Sequence, residues 1–357
     1  LVYAAIPFLN VIFTYGIETA YFRFSRNDGA QKDIYSTASI SVFCSTILLT
    51  TLLLLSATNV SQWLKLDEHP EFITYSAFII AFDTLSTLPF AKLRQQGKPK
   101  KFAFIRITSI VLTIALTYFF ISVCTKIIAN IPDSFISAFY KKDYGVGYVI
   151  IANLIASVFT LILLYKELFS FKWKFSVTTW KKMMLYSMPL IIAGLGGMIN
   201  ETFDRVLIPY LIADKSTAMA QLGIYGACYK LSILMTLFIQ TFRYAAEPFF
   251  FSHSTKENPQ KTYADVMHYF VIVCAFIFLG IMLFMDFIQT FIGKDYRSGL
   301  PVVPILLMAN LCLGVFYNLS IWYKLTSKTR WGAILSLIGA VITLVFNFAL
   351  IPSMGYM

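Results

Sequence analysis

Ten apolar segments alternate with short polar loops along this chain, at roughly 1–22, 36–58, 72–91, 102–128, 146–165, 183–212, 221–250, 266–292, 300–323 and 331–352. A helix needs about 20 predominantly apolar residues to cross a bilayer. In hydrocarbon the backbone must satisfy its own hydrogen bonds, which leaves helices or closed barrels as spanning forms. Segments of this length predict an all-α integral membrane protein. Only 13% of the 357 residues are charged, against about 25% in soluble domains. The net charge of +11 would suit nucleic acid, but the Lys and Arg sit in short loops between apolar runs, and that reading is rejected. Cys44, Cys124, Cys228, Cys274 and Cys312 all lie within apolar runs, without metal or disulfide spacing, and read as small lipophilic core residues. His69, His253 and His268 are scattered and no large loop exists to carry a catalytic constellation, which argues against a membrane-embedded glycan polymerase, ligase or acyltransferase.

Basic residues fall in alternate loops. One set, from Arg23 and Arg26 through Lys92–Arg106, Lys166–Lys182 and Lys256–Lys261 to Lys324, Lys328 and Arg330, holds nineteen Lys and Arg; the other holds seven. Cytoplasmic loops carry the excess, so the first set is predicted to be cytoplasmic. Three basic residues remain inside the segments: Arg205, Lys230 and Arg243.

The chain also repeats itself at an offset of 230. Arg94, Lys98 and Lys100 match Lys324, Lys328 and Arg330, and the run from Val111 to Ile114 matches that from Val341 to Leu344. A displacement of six helices keeps the two halves in the same orientation, with a pseudo-axis along the membrane normal. The predicted architecture is two pseudo-symmetric six-helix lobes. Residues 1–168 form an N-terminal lobe without its first helix, 169–182 a basic linker, and 183–357 a C-terminal lobe without its last helix or helices. Both ends read as cut.

Ionisable groups within a spanning helix are costly and by default mark a functional site. Gly194, Gly197, Glu201, Asp204 and Arg205 fall on one face of the sixth segment. The glycines there allow a neighbouring helix close, and Glu201 precedes Arg205 by four residues, the favoured order for a helical ion pair. A buried structural ion pair and a transport role both account for this face. Asn10, Thr14 and Glu18 make a polar stripe on the first segment, and Asp83 lies centrally in the third with Thr87 a turn on. In the seventh, Gln240, Arg243 and Glu247 share a face before Pro248. Lys230 and Arg243 stand about 20 Å and about 140° apart on a straight helix, so both cannot touch one small ligand unless it bends. Asp286 and Asn310 complete the set, Asp286 near the outer end of its segment. Basic groups facing a membrane cavity suit phosphates, Arg as a bidentate fork and Lys as a point charge.

Several motifs run in a familiar order: Phe8-Leu9-Asn10 with Tyr15-Gly16-Ile17-Glu18 and Phe22-Arg23-Phe24; Leu88-Pro89-Phe90 with Leu93-Arg94 and Gly97-Lys98; Asn200, Asp204 and Arg205; and Tyr225 to Lys230 leading to Pro248-Phe249-Phe250. In these the chain resembles the polysaccharide-export family, the O-antigen and capsule-type lipid-linked oligosaccharide flippases of the MATE-like (MOP) superfamily that also holds the multidrug extruders. The resemblance implies a multi-pass protein of the bacterial inner membrane that moves undecaprenyl-pyrophosphate-linked oligosaccharide by alternating access, not an enzyme. On this reading Arg205, Lys230, Arg243, Asn10 and Asn200 contact substrate. Asp83, Glu201, Asp204, Glu18 and Glu247 balance charge or take a coupling H+ or Na+, with no other cofactor and no metal. Expected partners are the lipid-linked glycan, membrane lipids and the polysaccharide polymerase and export machinery, around a monomer. The alternative is an ion-coupled multidrug or small-molecule extruder of the same superfamily, which three basic residues at membrane depth disfavour for a cationic substrate.

Overall fold

The computed structural model describes residues 2–25, 31–63, 70–130, 140, 144–145, 147–254 and 258–356. Among them are helices and turns, with no strand. They form two compact units, Leu1–Leu185 and Tyr186–Met357.

The first unit holds α1 (Val2–Thr14), α2 (Ile17–Phe24), α3 (Gln31–Leu55), α4 (Ala57–Trp63), α5 (Glu71–Gln95), α6 (Pro99–Tyr118), α7 (Thr125–Asn130), α8 (Gly147–Leu163), α9 (Tyr165–Leu168) and the start of α10 (Val177–Leu211). A π-helical turn, Phe119–Cys124, runs α6 into α7. α5 is the central helix, packed against α1, α3 and α8, and its apolar stretch is 61% buried; the α6 stretch is 6% buried. A helix that is apolar all round and uncovered by protein is one made for lipid contact. The second unit holds the rest of α10, then α11 (Lys215–Leu231), α12 (Ile233–His253), α13 (Pro259–Leu283), α14 (Met285–Ile288), α15 (Val302–Leu319), α16 (Ile321–Leu325) and α17 (Thr329–Met354). Met235, Ile239, Phe270, Cys274, Val303 and Leu307 from α12, α13 and α15 make its main core. A second cluster of Ile208, Tyr225, Val302, Leu306 and Ile351 joins α10, α11, α15 and α17.

Among the described residues seven helices are long and apolar enough to cross a membrane, and α11 with α12 makes an eighth bent by 54°. The apolar helix Gly147–Leu163 coincides with the fifth predicted segment and the pair α1–α2 with the first. The first segment is therefore two helices rather than one. Tyr15 and Gly16 both take positive φ, 35° and 67°, a conformation that ends a right-handed helix. The predicted stripe is broken there: Asn10 and Thr14 stay on α1, where Thr14 Oγ1 donates to the Asn10 carbonyl, and Glu18 lies on α2. The bend of the seventh segment falls at Ser232. Its hydroxyl donates to the Tyr229 carbonyl at 2.8 Å, and buried Asn310 holds the hinge by accepting from Thr236 at 3.3 Å. The straight-helix separation of Lys230 and Arg243 does not apply across it. Of the cysteines, Cys124, Cys228 and Cys274 are buried, whereas Cys44 and Cys312 are exposed on the outside of their helices.

The repeat has a structural counterpart in a turn. After α5, Gly97 takes φ 64° and the Lys98 N–H donates to the Leu93 carbonyl at 3.0 Å. After α16, Ser327 takes φ 58° and the Lys328 N–H donates to the Tyr323 carbonyl at 2.8 Å. A left-handed residue closing a long backward bond is the Schellman way to end a helix. Each turn leads into the next helix, at Pro99 and Thr329.

Candidate functional site

The second unit carries two charged clusters. The first is built on α10. Arg205 Nε lies 3.6 Å from Asp204 Oδ1, and the guanidinium sits 4.1 Å from the centre of the Tyr229 ring. Its terminal nitrogen donates to the backbone carbonyl of Glu201, one turn back. The predicted Glu201–Arg205 pair is thus corrected: the charge partner is the adjacent Asp204 carboxylate, and Glu201 contributes its carbonyl. Asp204 is held from two sides, accepting the Arg205 backbone N–H at 2.7 Å and the Tyr225 hydroxyl from α11. The buried Arg205 Nε–H has no hydrogen-bond acceptor. It faces the Asp204 carboxylate at a distance too long for a hydrogen bond. Asn200, just before Glu201, accepts from Thr343 of α17 at 2.9 Å.

The glycine that permits close packing on α10 is Gly196 rather than Gly197. A Cβ at Gly196 would stand 2.9 Å from the Ser336 carbonyl, whereas at Gly197 nothing lies within 4 Å. α17 is the helix brought close.

The second cluster joins α12 to α15 and α16. Glu247 accepts from Lys324 Nζ at 3.2 Å, with both side chains nearly buried. Arg243, one turn before Glu247, places its guanidinium 4.6 Å from the centre of the Tyr317 ring. These groups line a narrow cleft of about 20 Å³ with Asn318 and Ser320, room for about one water. Tyr317 is within electrostatic reach of both Arg243 and Glu201 and so stands between the clusters. The sequence does not single out Lys324, Tyr317 or Asn318; Lys324 reads there as a loop cation. Its match to Arg94 in the repeat is the available signal, since Arg94 pairs with Glu18 in the first unit as Lys324 does with Glu247 here.

The remaining predicted residues have other surroundings. Lys230 is exposed in the last turn of α11 and forms no ion pair among the described residues. In the first unit Asp83 accepts from Ser157 of α8 at 2.8 Å, and Glu18 is bound to Arg94. The Asn10 amide oxygen is buried without a partner. Among the described residues no group of His, Cys, Asp and Glu could hold a metal ion.

A comparison with curated proteins returned no sequence match. Among solved structures, the chain superposes on a MATE protein in its straight conformation with TM-score 0.66 at 16% identity, covering 99% of this chain and 78% of that one. Against an outward-facing multidrug resistance MATE family transporter of the MOP superfamily the TM-score is 0.65 at 14% identity, covering 98% and 77%. Against a MATE protein in its bent conformation it is 0.61 at 13%, covering 97% and 83%. At such identities the likeness establishes the fold alone, the helical fold of the MATE proteins. The family model described as polysaccharide biosynthesis protein matches residues 1–254. With that match over most of its length, the chain belongs to the polysaccharide biosynthesis protein family and is a multi-pass membrane protein with a MATE-like fold.

Proposed function

We propose that the protein flips an undecaprenyl-pyrophosphate-linked oligosaccharide across the bacterial inner membrane for polysaccharide, O-antigen or capsule export. The observation that carries this reading is the pair of arginines set within the helices of the second unit, Arg205 on α10 and Arg243 on α12, with Lys324 beside Arg243. A guanidinium at membrane depth attracts a phosphate and repels a cation, and the low dielectric magnifies both effects. The guanidinium of Arg205 has N–H donors beyond those used by Asp204 and the Glu201 carbonyl to offer phosphate oxygens, and Tyr229 beneath it holds its plane. Asp204 and Glu247 keep the charges balanced when no substrate is bound, and H+ or Na+ is the coupling ion assigned to this set with Glu201 and Asp83. Glu18, engaged by Arg94, acts as a structural partner in this account.

The test is reconstitution into proteoliposomes with a fluorescent polyprenyl-pyrophosphate glycan in the inner leaflet. Protein-dependent appearance of the glycan outside, lost in Arg205→Ala, supports the proposal. Transport of cationic dyes without movement of the glycan overturns it in favour of an extruder.

A further inference from the structure

The basic linker before α10 is a stretch that the proposed function leaves unused. Aromatics and lysines alternate through it, as Phe169, Phe171, Lys172, Trp173, Lys174 and Phe175. It is strapped to the start of α3 within the first unit. The Lys172 N–H donates to Ser36 Oγ at 3.0 Å, the Ser176 N–H to Thr37 Oγ1 at 3.2 Å, and the Trp180 indole N–H to Ser41 Oγ at 2.9 Å. Just upstream, the Glu167 carbonyl accepts from the Tyr35 hydroxyl at 2.7 Å. These bonds fix the depth of the linker. The apolar span of α3 begins at Asp33, so Ser36, Thr37 and Ser41 lie about 5, 6 and 12 Å into it at about 1.5 Å per residue. That is the zone between headgroups and acyl chains, where amphipathic segments bury one face and Trp is enriched.

The backbone donors of the linker face α3, and its large side chains are left outside. Trp173 is 80% exposed and Phe169 74%, with Phe171 packed edge-on against Trp173 at 5.2 Å between ring centres. The charges divide in the same way. Glu167, the only acid from Tyr165 to Lys182, is buried, and its two oxygens accept from Lys101 Nζ at 2.7 and 2.8 Å. Lys166 and Lys172 are exposed and form no ion pair among the described residues; Lys174 has only the exposed Asp33 carboxylate, 3.8 Å away. An exposed apolar patch marks an interaction surface, and lysines around it favour a negative one. We infer that the linker is a docking surface for anionic phospholipid, with Phe169 and Trp173 entering the acyl boundary and Lys166, Lys172 and Lys174 meeting the headgroup phosphates. Position names the occupant: a segment held against a spanning helix at this depth has the leaflet as its neighbour. Lysine stems lie along the apolar side chains and carry their ammonium groups up to the headgroups. The lipid bound here is the leaflet's own, whatever the protein transports.

Quenching of tryptophan fluorescence by brominated lipid, with the full chain in phosphatidylcholine nanodiscs, tests the surface. Brominated phosphatidylglycerol or brominated phosphatidylcholine is included as a minor component at equal mole fraction. The share that belongs to Trp173 is the difference between the unaltered chain and Trp173→Phe. Both lipids are expected to quench Trp173. Phosphatidylglycerol is expected to quench more strongly, through a local enrichment of about fivefold, the worth of one lysine at an anionic surface. With Lys166→Gln, Lys172→Gln and Lys174→Gln combined, that excess is expected to vanish while quenching by phosphatidylcholine persists. Raising the salt to about 1 M, where the Debye length is about 3 Å, is expected to remove the excess from the unaltered chain without any substitution. Equal quenching by the two lipids, an excess that survives the triple variant or high salt, or no quenching of Trp173 by either lipid overturns the inference. The last of these results would leave the patch to a protein partner.

Discussion

Arg205 carries the most weight of any single residue, because its guanidinium is placed by three different contacts and still has a donor to give. Stacking on Tyr229, the Asp204 carboxylate and the Glu201 carbonyl hold it on one side. Arg205→Lys keeps the charge but loses the planar stack and the second donor, so export is expected to fall to an intermediate level, with Arg205→Ala near zero, in a surface-glycan assay at matched protein levels. Lys324→Met removes one of two cations facing nearly buried Glu247, Arg243 remaining within electrostatic reach, and a loss of stability of about 3 kcal/mol or less is expected in thermal or denaturant unfolding. Sequence singles out Arg205 and Arg243 because a charge deep in an apolar run has no bland surroundings to hide in. Lys324 escapes because it lies four residues before Lys328, and composition cannot distinguish the last helical turn from the loop. The choice of Asp204 over Glu201 as the partner of Arg205 is also out of reach. Both are within a turn, and the hydroxyl of Tyr225 on another helix is what fixes Asp204 in place.

At the scale of elements, the two matching turns make paired predictions. Gly97 sits at φ 64° with open space where a Cβ would stand, so Gly97→Ala should cost about 1 kcal/mol through backbone strain alone. Ser327 holds the same conformation without being glycine, and Ser327→Gly is expected to raise Tm. The N-cap of α11 is Asp214, which accepts from the backbone N–H groups of Ser216 and Thr217 and from both hydroxyls. The Thr217 and Ser216 side-chain bonds, with the backbone bonds behind them, hold its carboxyl down at about 2, below its ordinary value of 3.8. A folded-state value below the unfolded one stabilises the native form above the unfolded value, and that contribution is lost as pH falls from about 3.8 towards about 2. Hydrogen exchange of the first turn of α11 should therefore stay protected at pH 5 and lose protection across that acid window, and Asp214→Ala should remove the pH dependence. Helix lengths and apolar runs are legible because period and composition report them directly. The break at Tyr15 is not: Gly16 hints at it, but the positive φ of a tyrosine whose hydroxyl meets Ser41 at 2.8 Å is a tertiary arrangement.

For the whole molecule, all ten predicted segments coincide with helices among the described residues, though one is broken and one bent. The repeat at offset 230 reappears as matched turns, and the matched cations Arg94 and Lys324 each pair with a glutamate, Glu18 and Glu247, whose positions are one residue out of step. Family and fold are readable because order and spacing of motifs survive when identity is low. The ligand is not, because the charged side chains of α10, α12 and α16 come from distant stretches of the sequence. The most direct measurement expresses the full-length gene in cells that lack their own O-antigen or capsule flippase, and follows surface glycan together with lipid-linked repeat units held inside. The account predicts that surface glycan returns, the internal pool clears, and Arg205→Ala reverses both. Protein present in the membrane with the internal pool still high, across strains making different glycans, would contradict it.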